Sequence, residues 1–289
     1  MNSETKGMWL GLLGVAAFSL TLPATRVAVA ALNPIFVGMG RVVVAAIPAA
    51  TYLLISRRGW PTRGEFRSLV VVSLGVAFGF PVLTALAMRH VEASHAGIML
   101  GVLPLATAAA GAAVSGERPS PGFWAMASLG SLLVVAFALN EGGGSVSWAD
   151  LALLAAVASA AVGYAEGTRL AQSLGGVQVI SWAVVIAAPA LLIPAGHFAP
   201  DSVGVPLDSW LAFLYVSLVS QFLGFIPWYR GLALGGIARV GQTQLLQPFL
   251  TLLAAAVLLG EAVDATALVF AVLVCMTVAM GRGMQVRRA

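Results

Sequence analysis

Three amides open one of the most apolar stretches of this chain: Gln242, Gln244 and Gln247 in Gly241–Glu261, GQTQLLQPFLTLLAAAVLLGE. A glutamine among aliphatic residues in a membrane must find a partner or face water. On a helix, Gln244, Gln247 and Thr251 share a face at i, i+3 and i+7, the spacing of a hydrogen-bonding wall. Such a wall either bonds neighbouring helices or contacts a small polar ligand, and both readings stay open. Gln244 leads the second reading, because three polar residues share its face.

A second set of residues offers stacking surfaces: Trp228 and Tyr229 just after Pro227, Tyr164, Trp182, and His95 with Met99. Aromatic residues near the ends of apolar helices usually form interfacial belts, and Trp60, Trp148 and Trp210 are read that way. Trp228 and Tyr229 follow a proline, and broken membrane helices are where ligands bind, so for them a cavity role competes with the belt. His95 is equally served by bonding a carbonyl.

The chemistry these residues support is binding. Cys275 is the only cysteine, and His90, His95 and His197 lack ligand spacing, so neither a disulfide nor a metal site is expected. No nucleophile–base pair stands in register for a membrane protease or lipid-modifying enzyme, and no cofactor is called for. Glu166 lies near a helix end with Arg169 at i+3 to pair with it. A buried acid that binds a cation or relays protons is therefore not evident, which counts against dedicated export of cationic drugs. Only Arg26 and Arg41 lie well inside apolar runs away from the basic ends. Two cations are too few for recognition of a phosphorylated sugar or nucleotide, and Arg41 is expected to pair with helix-end carbonyls.

The elements that must position these side chains follow from composition. With 60% hydrophobic and 9% charged residues and a mean hydropathy of +0.97, a chain of 289 residues cannot hide its apolar surface in water. Ten apolar runs fit the length of a membrane helix, at 8–30, 35–55, 68–88, 94–115, 122–139, 150–170, 178–195, 209–229, 241–259 and 265–281. The first run could be a secretory signal, since Lys6 precedes it and Ala28-Val29-Ala30 mimics a cleavage site, but it is long for a signal core. With Lys6 on the cytoplasmic side, twelve of the fifteen basic residues fall in cytoplasmic segments, and the positive-inside rule puts both termini there. The net charge of +4 thus reports orientation, and nucleic acid is not an expected partner.

The stretch Gly241–Glu261 has a twin in Gly97–Glu117, GIMLGVLPLATAAAGAAVSGE. Both read Gly, six residues, Pro, eleven residues, Gly-Glu, and they lie 144 residues apart. Phe18–Arg26 and Ala161–Arg169 both close on Thr-Arg, and Gly79-Phe80-Pro81 has a counterpart in Gly224-Phe225-Ile226-Pro227. Five runs per half is odd, so the second copy enters the membrane from the opposite side, as in the inverted repeats of secondary transporters. The expected layout is a first repeat at 1–140, an outer linker at 141–149 around Gly142-Gly143-Gly144, and a second repeat at 150–289. Pro23, Pro81, Pro104, Pro227 and Pro248 are either static kinks or hinges. The hinge reading is strongest at the paired Pro104 and Pro248, since each proline removes a backbone donor.

Ten helices, Arg41 early in the second run, and Pro followed by Gly-Glu closing the fourth and ninth make the chain resemble the EamA-type carriers of the drug/metabolite transporter superfamily. Within that superfamily it looks similar to the bacterial aromatic amino-acid exporters called YddG. The resemblance covers essentially the whole chain. It implies an all-α membrane protein of ten transmembrane helices, two inverted five-helix repeats around a central cavity. Spans one, three, four, six, eight and nine would line that cavity, with five and ten set apart. Many members carry a Trp where Phe18-Ser19 stands here.

The function implied is export of aromatic or other hydrophobic amino acids across the bacterial inner membrane by alternating access. The alternative is a broader metabolite or drug exporter, and a scaffold or receptor would lack substrate-driven flux. The expected partners are a small neutral or zwitterionic substrate and membrane lipid. A monomer is the expected functional unit, with a dimer as the other possibility.

Overall fold

A computed structural model describes residues 3–57, 59–115, 118–141, 146–200, 204–235, 240–282, 284 and 286–287. Eight helices among them are long and apolar enough to cross a membrane: α1 (Thr5–Ala31), α2 (Pro34–Ser56), α3 (Arg63–Ala87), α4 (Ala93–Val114), α5 (Pro121–Asn140), α6 (Trp148–Ala171), α7 (Gly176–His197) and α8 (Leu207–Gly235). The sequence leads one to expect ten spans. The last two runs form α9 (Gln247–Leu259, entered through the 3-10 turn Gly241–Leu246) and α10 (Ala265–Arg282). Their apolar segments, Thr243–Leu259 and Ala265–Thr277, are shorter than the rest. Apart from a two-residue antiparallel pair, Arg118–Pro119 with Val286–Arg287, the described chain is helical. Gly142-Gly143-Gly144 of the expected linker and Glu117 of the first twin lie outside the described residues.

Helix starts follow local chemistry. Asn33 caps α2 by accepting from the Ile35 N–H, with Pro34 in the first turn where no donor is missed. Thr62 with Glu65, and Ser147 with Asp150, form reciprocal capping boxes at the starts of α3 and α6. Outward faces carry Ile47, Leu54, Ile55, Ile193, Val257 and Leu258, all exposed, as a lipid-facing surface requires. Inward, α1 packs on α8, α2 on α7, and α3 and α4 on α6, while α5 pairs with α10. Close crossings need small residues: a Cβ on Gly75 of α3 would sit 2.5 Å from the Ser159 carbonyl oxygen of α6.

Among the described residues, five of these segments are not continuous α-helix. α3 is π-helical over Ser73–Gly79 and α8 over Tyr215–Leu223, each just before a proline, Pro81 or Pro227. α4 contains a 3-10 turn at Leu100–Val102, and α9 is preceded by one; α-helix then resumes at Leu103–Ser115 and Gln247–Leu259 with proline in the first turn. These resumed segments are each 13 residues long and start 144 residues apart. The physical cause is shared. Proline lacks the N–H and crowds the preceding turn, so the helix winds differently there. α1 breaks as well, at Leu20, three residues before Pro23.

Candidate functional site

The twin prolines Pro104 and Pro248 line one small internal cavity together with Gln244 of the α9 entry, Gln247 and Thr251 of α9, Leu22 of α1, and Gly97, Leu100 and Leu103 of α4. Its volume is about 10 Å³, room for roughly one water, so the site is closed in this conformation. Gln244 is 2% exposed, and among the described residues neither its Oε1 nor its Nε2 has a hydrogen-bond partner. An unpaired buried amide costs about 1–3 kcal/mol, which a polar occupant of the cavity would recover. Gln247 is half-buried on the same wall. Thr251 is already committed, donating to the Ser19 carbonyl at 3.0 Å. The side chain of Gln242 lies outside the described residues.

Beside the α1 break an aromatic cluster joins α1, α6 and α8. Phe18 meets Phe225 at 4.9 Å and Trp228 at 6.1 Å between ring centroids, and Tyr164 meets both Phe225 and Trp228 at 5.9 Å. Trp228 is fully buried, and its indole Nε1 has no partner among the described residues. Tyr229 is equally buried but turned toward α6, where its hydroxyl donates to the Gly163 carbonyl at 3.3 Å and its ring covers Gly167.

The remaining sequence candidates lie apart from the cavity wall. His95 Nε2 sits 2.6 Å from Asp150 Oδ1, and Asp150 is the first-turn partner of Ser147 in the α6 capping box, so this pair ties α4 to the start of α6. Met99 is fully buried within α4. Trp182 faces Trp60, 5.1 Å between centroids. Pro81 and Pro23 are buried and Pro227 half-buried, each at the helix irregularities described above. Glu166 and Arg169 form the ion pair expected from their spacing, and Arg169 also donates to Ser68. Among the described residues, no group of three or more His, Cys, Asp or Glu is arranged to hold a metal.

The expectation for Arg41 is corrected. Its Nη2 donates to the Ser220 hydroxyl at 2.8 Å, not to a carbonyl, and Ser220 is 2.8 Å from Thr21 Oγ1. Arg26 fills the role expected of Arg41: its Nη1 donates to the Met88 and Val91 carbonyls, both at 2.7 Å, at the end of α3. Sequence reasoning missed Ser220 and its neighbour Gln221, which donates to the Val76 carbonyl at 3.0 Å and so joins the two π segments. The available signal was Ser217, Ser220 and Gln221 inside an otherwise apolar run.

At the end of the bundle opposite Lys6 a vestibule of about 490 Å³ is lined by Arg26, Glu92, Asp208 and Glu261, among others. The Glu261 carboxylate accepts from the Ala93 and Ser94 backbone N–H groups, each at 2.9 Å, so the end of α9 caps the start of α4.

Comparison with known proteins agrees with this architecture. The profile of the EamA-like transporter family matches residues 5–139 and again 147–281. The chain is 48% identical over 285 residues to the "Uncharacterized transporter YdeK" of Bacillus subtilis (strain 168), covering 98% of this chain and 99% of that one. It is 28% identical over 283 residues to a "Probable amino-acid metabolite efflux pump" of Salmonella typhimurium, covering 93% and 92% of the two chains. A solved crystal structure at 20% identity superposes with a TM-score of 0.69 over 95% of this chain and 97% of its own, a likeness of fold.

Proposed function

Because the chain belongs to the EamA-like transporter family, we propose that it exports aromatic or other hydrophobic amino acids across the bacterial inner membrane by alternating access. That it is a multi-pass membrane transporter follows from the family and its apolar helices; the cargo, the membrane and the direction are the proposal. The observation that carries it is the unpartnered Gln244 amide, buried in a closed cavity between two helices broken by proline at matched positions. A solute with a polar head would take up that amide, and the Phe18–Tyr164–Phe225–Trp228 cluster would receive an apolar side chain. The 28% identical efflux pump, named for amino-acid metabolites, supports the cargo class.

In this reading the two halves are inverted copies, both termini are cytoplasmic, and the monomer is the transporting unit. The family profile matching each half once supports their being copies; their opposite orientation is part of the proposal. Gln247, Trp228 and Tyr164 are secondary contacts, and Pro104 and Pro248 are the hinges about which α4 and α9 part. A broader metabolite or drug exporter is the second reading, favoured by the vestibule, whose volume and three carboxylates suit larger or cationic solutes.

Counterflow in proteoliposomes loaded with phenylalanine, threonine or a cationic dye, with and without a pH gradient, separates them. Phenylalanine flux selective over threonine and dye supports the first reading. Gradient-driven dye flux supports the second, and threonine flux equal to phenylalanine flux removes the aromatic preference.

A further inference from the structure

Among the described residues, Arg41 is a buried cation with unpartnered donors. It is 1% exposed in the middle of the protein, and burying a guanidinium without a counter-charge costs several kcal/mol. Only Nη2 is engaged, by the neutral hydroxyl of Ser220. Nε and Nη1 have no hydrogen-bond partner among the described residues, and none of the described ion pairs includes Arg41. An arginine kept for packing alone would be replaced at lower cost by an apolar residue of similar volume.

Its surroundings connect it to the region proposed for transport. Ser220 lies in the π segment of α8 and is hydrogen-bonded to Thr21, which sits immediately after the α1 break. Thr251 reaches the other side of that break at Ser19, and Leu22 lines the closed cavity. Phe18, a member of the aromatic cluster, lies two residues before the same break. Cation, cavity and aromatic rings thus converge on one discontinuity in α1.

We propose that Arg41 is the carboxylate anchor of the transport site. When the bundle opens, its free donors hold the substrate carboxylate, Ser220 and Thr21 orient the guanidinium, and the aromatic cluster accepts the side chain. Charge-assisted hydrogen bonds from arginine are the usual recognition mode for carboxylates. The inference rests on the transporter reading above and adds to it which residue holds the cargo's carboxylate.

The test is ligand-dependent thermal stabilisation of the purified full-length protein at constant ionic strength, with phenylalanine, phenylalaninamide, phenylacetate and chloride as probes. Phenylalanine and phenylacetate are expected to stabilise wild type, with phenylalaninamide weaker by about tenfold or more. Arg41→Gln should weaken both carboxylates by a similar factor and leave the amide unchanged, with Arg41→Lys intermediate. Equal affinity of wild type for phenylalanine and its amide overturns the proposal, as does phenylalanine affinity in Arg41→Gln within about twofold of wild type. Arg41-dependent stabilisation by chloride that carboxylates do not displace overturns it as well. If phenylalanine is neither bound nor carried, the aromatic amino-acid reading fails while phenylacetate still decides the anchor. Phenylacetate stabilisation lost in Arg41→Gln sustains it, and no carboxylate effect at all sinks it. Should Arg41→Gln not fold, Arg41→Lys and the amide-against-carboxylate comparison in wild type decide between the anchor and its absence.

Discussion

The hydroxyl of Thr251 donates to the carbonyl of Ser19 at 3.0 Å across 232 residues of sequence. Ser19 lies four residues before Pro23, which has no N–H to give it, so α9 supplies the donor that α1 lacks. The same logic holds in α3. Phe80 N–H bonds to Gly75 in the π register, which leaves Val76 to the N–H that Pro81 does not have. The Gln221 side chain of α8 takes that carbonyl. Two of the proline breaks are therefore stitched by side chains from elsewhere in the chain, in the way buried backbone in a membrane demands.

Thr251→Val keeps shape and removes the donor. It should lower stability by about 1–3 kcal/mol by orphaning the Ser19 carbonyl, read as a reduced melting temperature in detergent. An unchanged melting temperature would mean that the α1 break is satisfied in some other way.

Gln221→Leu should destabilise by a similar amount, roughly 1–3 kcal/mol, but less so in a Pro81→Ala background, where residue 81 regains an N–H. A double-mutant cycle reads the coupling directly. Strict additivity would separate Gln221 from the proline.

Gln244→Leu should behave in the opposite way. Its amide has no protein partner among the described residues, so removing it costs no described hydrogen bond and stability is held or raised, while transport affinity falls by about tenfold or more. Melting and counterflow measured on the same preparation test both halves. Loss of stability together with unchanged flux would identify the amide as helix-to-helix glue.

His95→Gln is expected to leave the half-saturating substrate concentration within about twofold, since the imidazole is engaged by Asp150 at 2.6 Å. Asp150→Ala removes both that partner and the carboxylate that accepts from the Ser147 N–H and hydroxyl, while the Ser147 cap itself stays, and should cost about 1 kcal/mol in stability. Concentration-dependent flux in His95→Gln decides whether the imidazole reaches cargo.

The irregular points of the spans were legible where a residue type forces them. The pairing of Pro104 with Pro248 was readable at a 144-residue offset, and the helices restart at the same offset. Glu166 and Arg169 were readable because a three-residue spacing on a helix dictates contact. Arg41 was misread, because its sequence offered helix-end carbonyls while the fold brought Ser220, 179 residues away, against it.

By itself the sequence determined that the chain is a bundle of apolar helices, where those helices run and where proline interrupts them. These follow from composition and from a period set by the backbone within one helix. Only the tertiary structure decided which side chain answers each freed carbonyl, that Gln244 and Arg41 are buried with open donors, and that His95 is held by Asp150. Those outcomes depend on which helices pack together and at what rotation, a relationship between distant segments that no local pattern encodes.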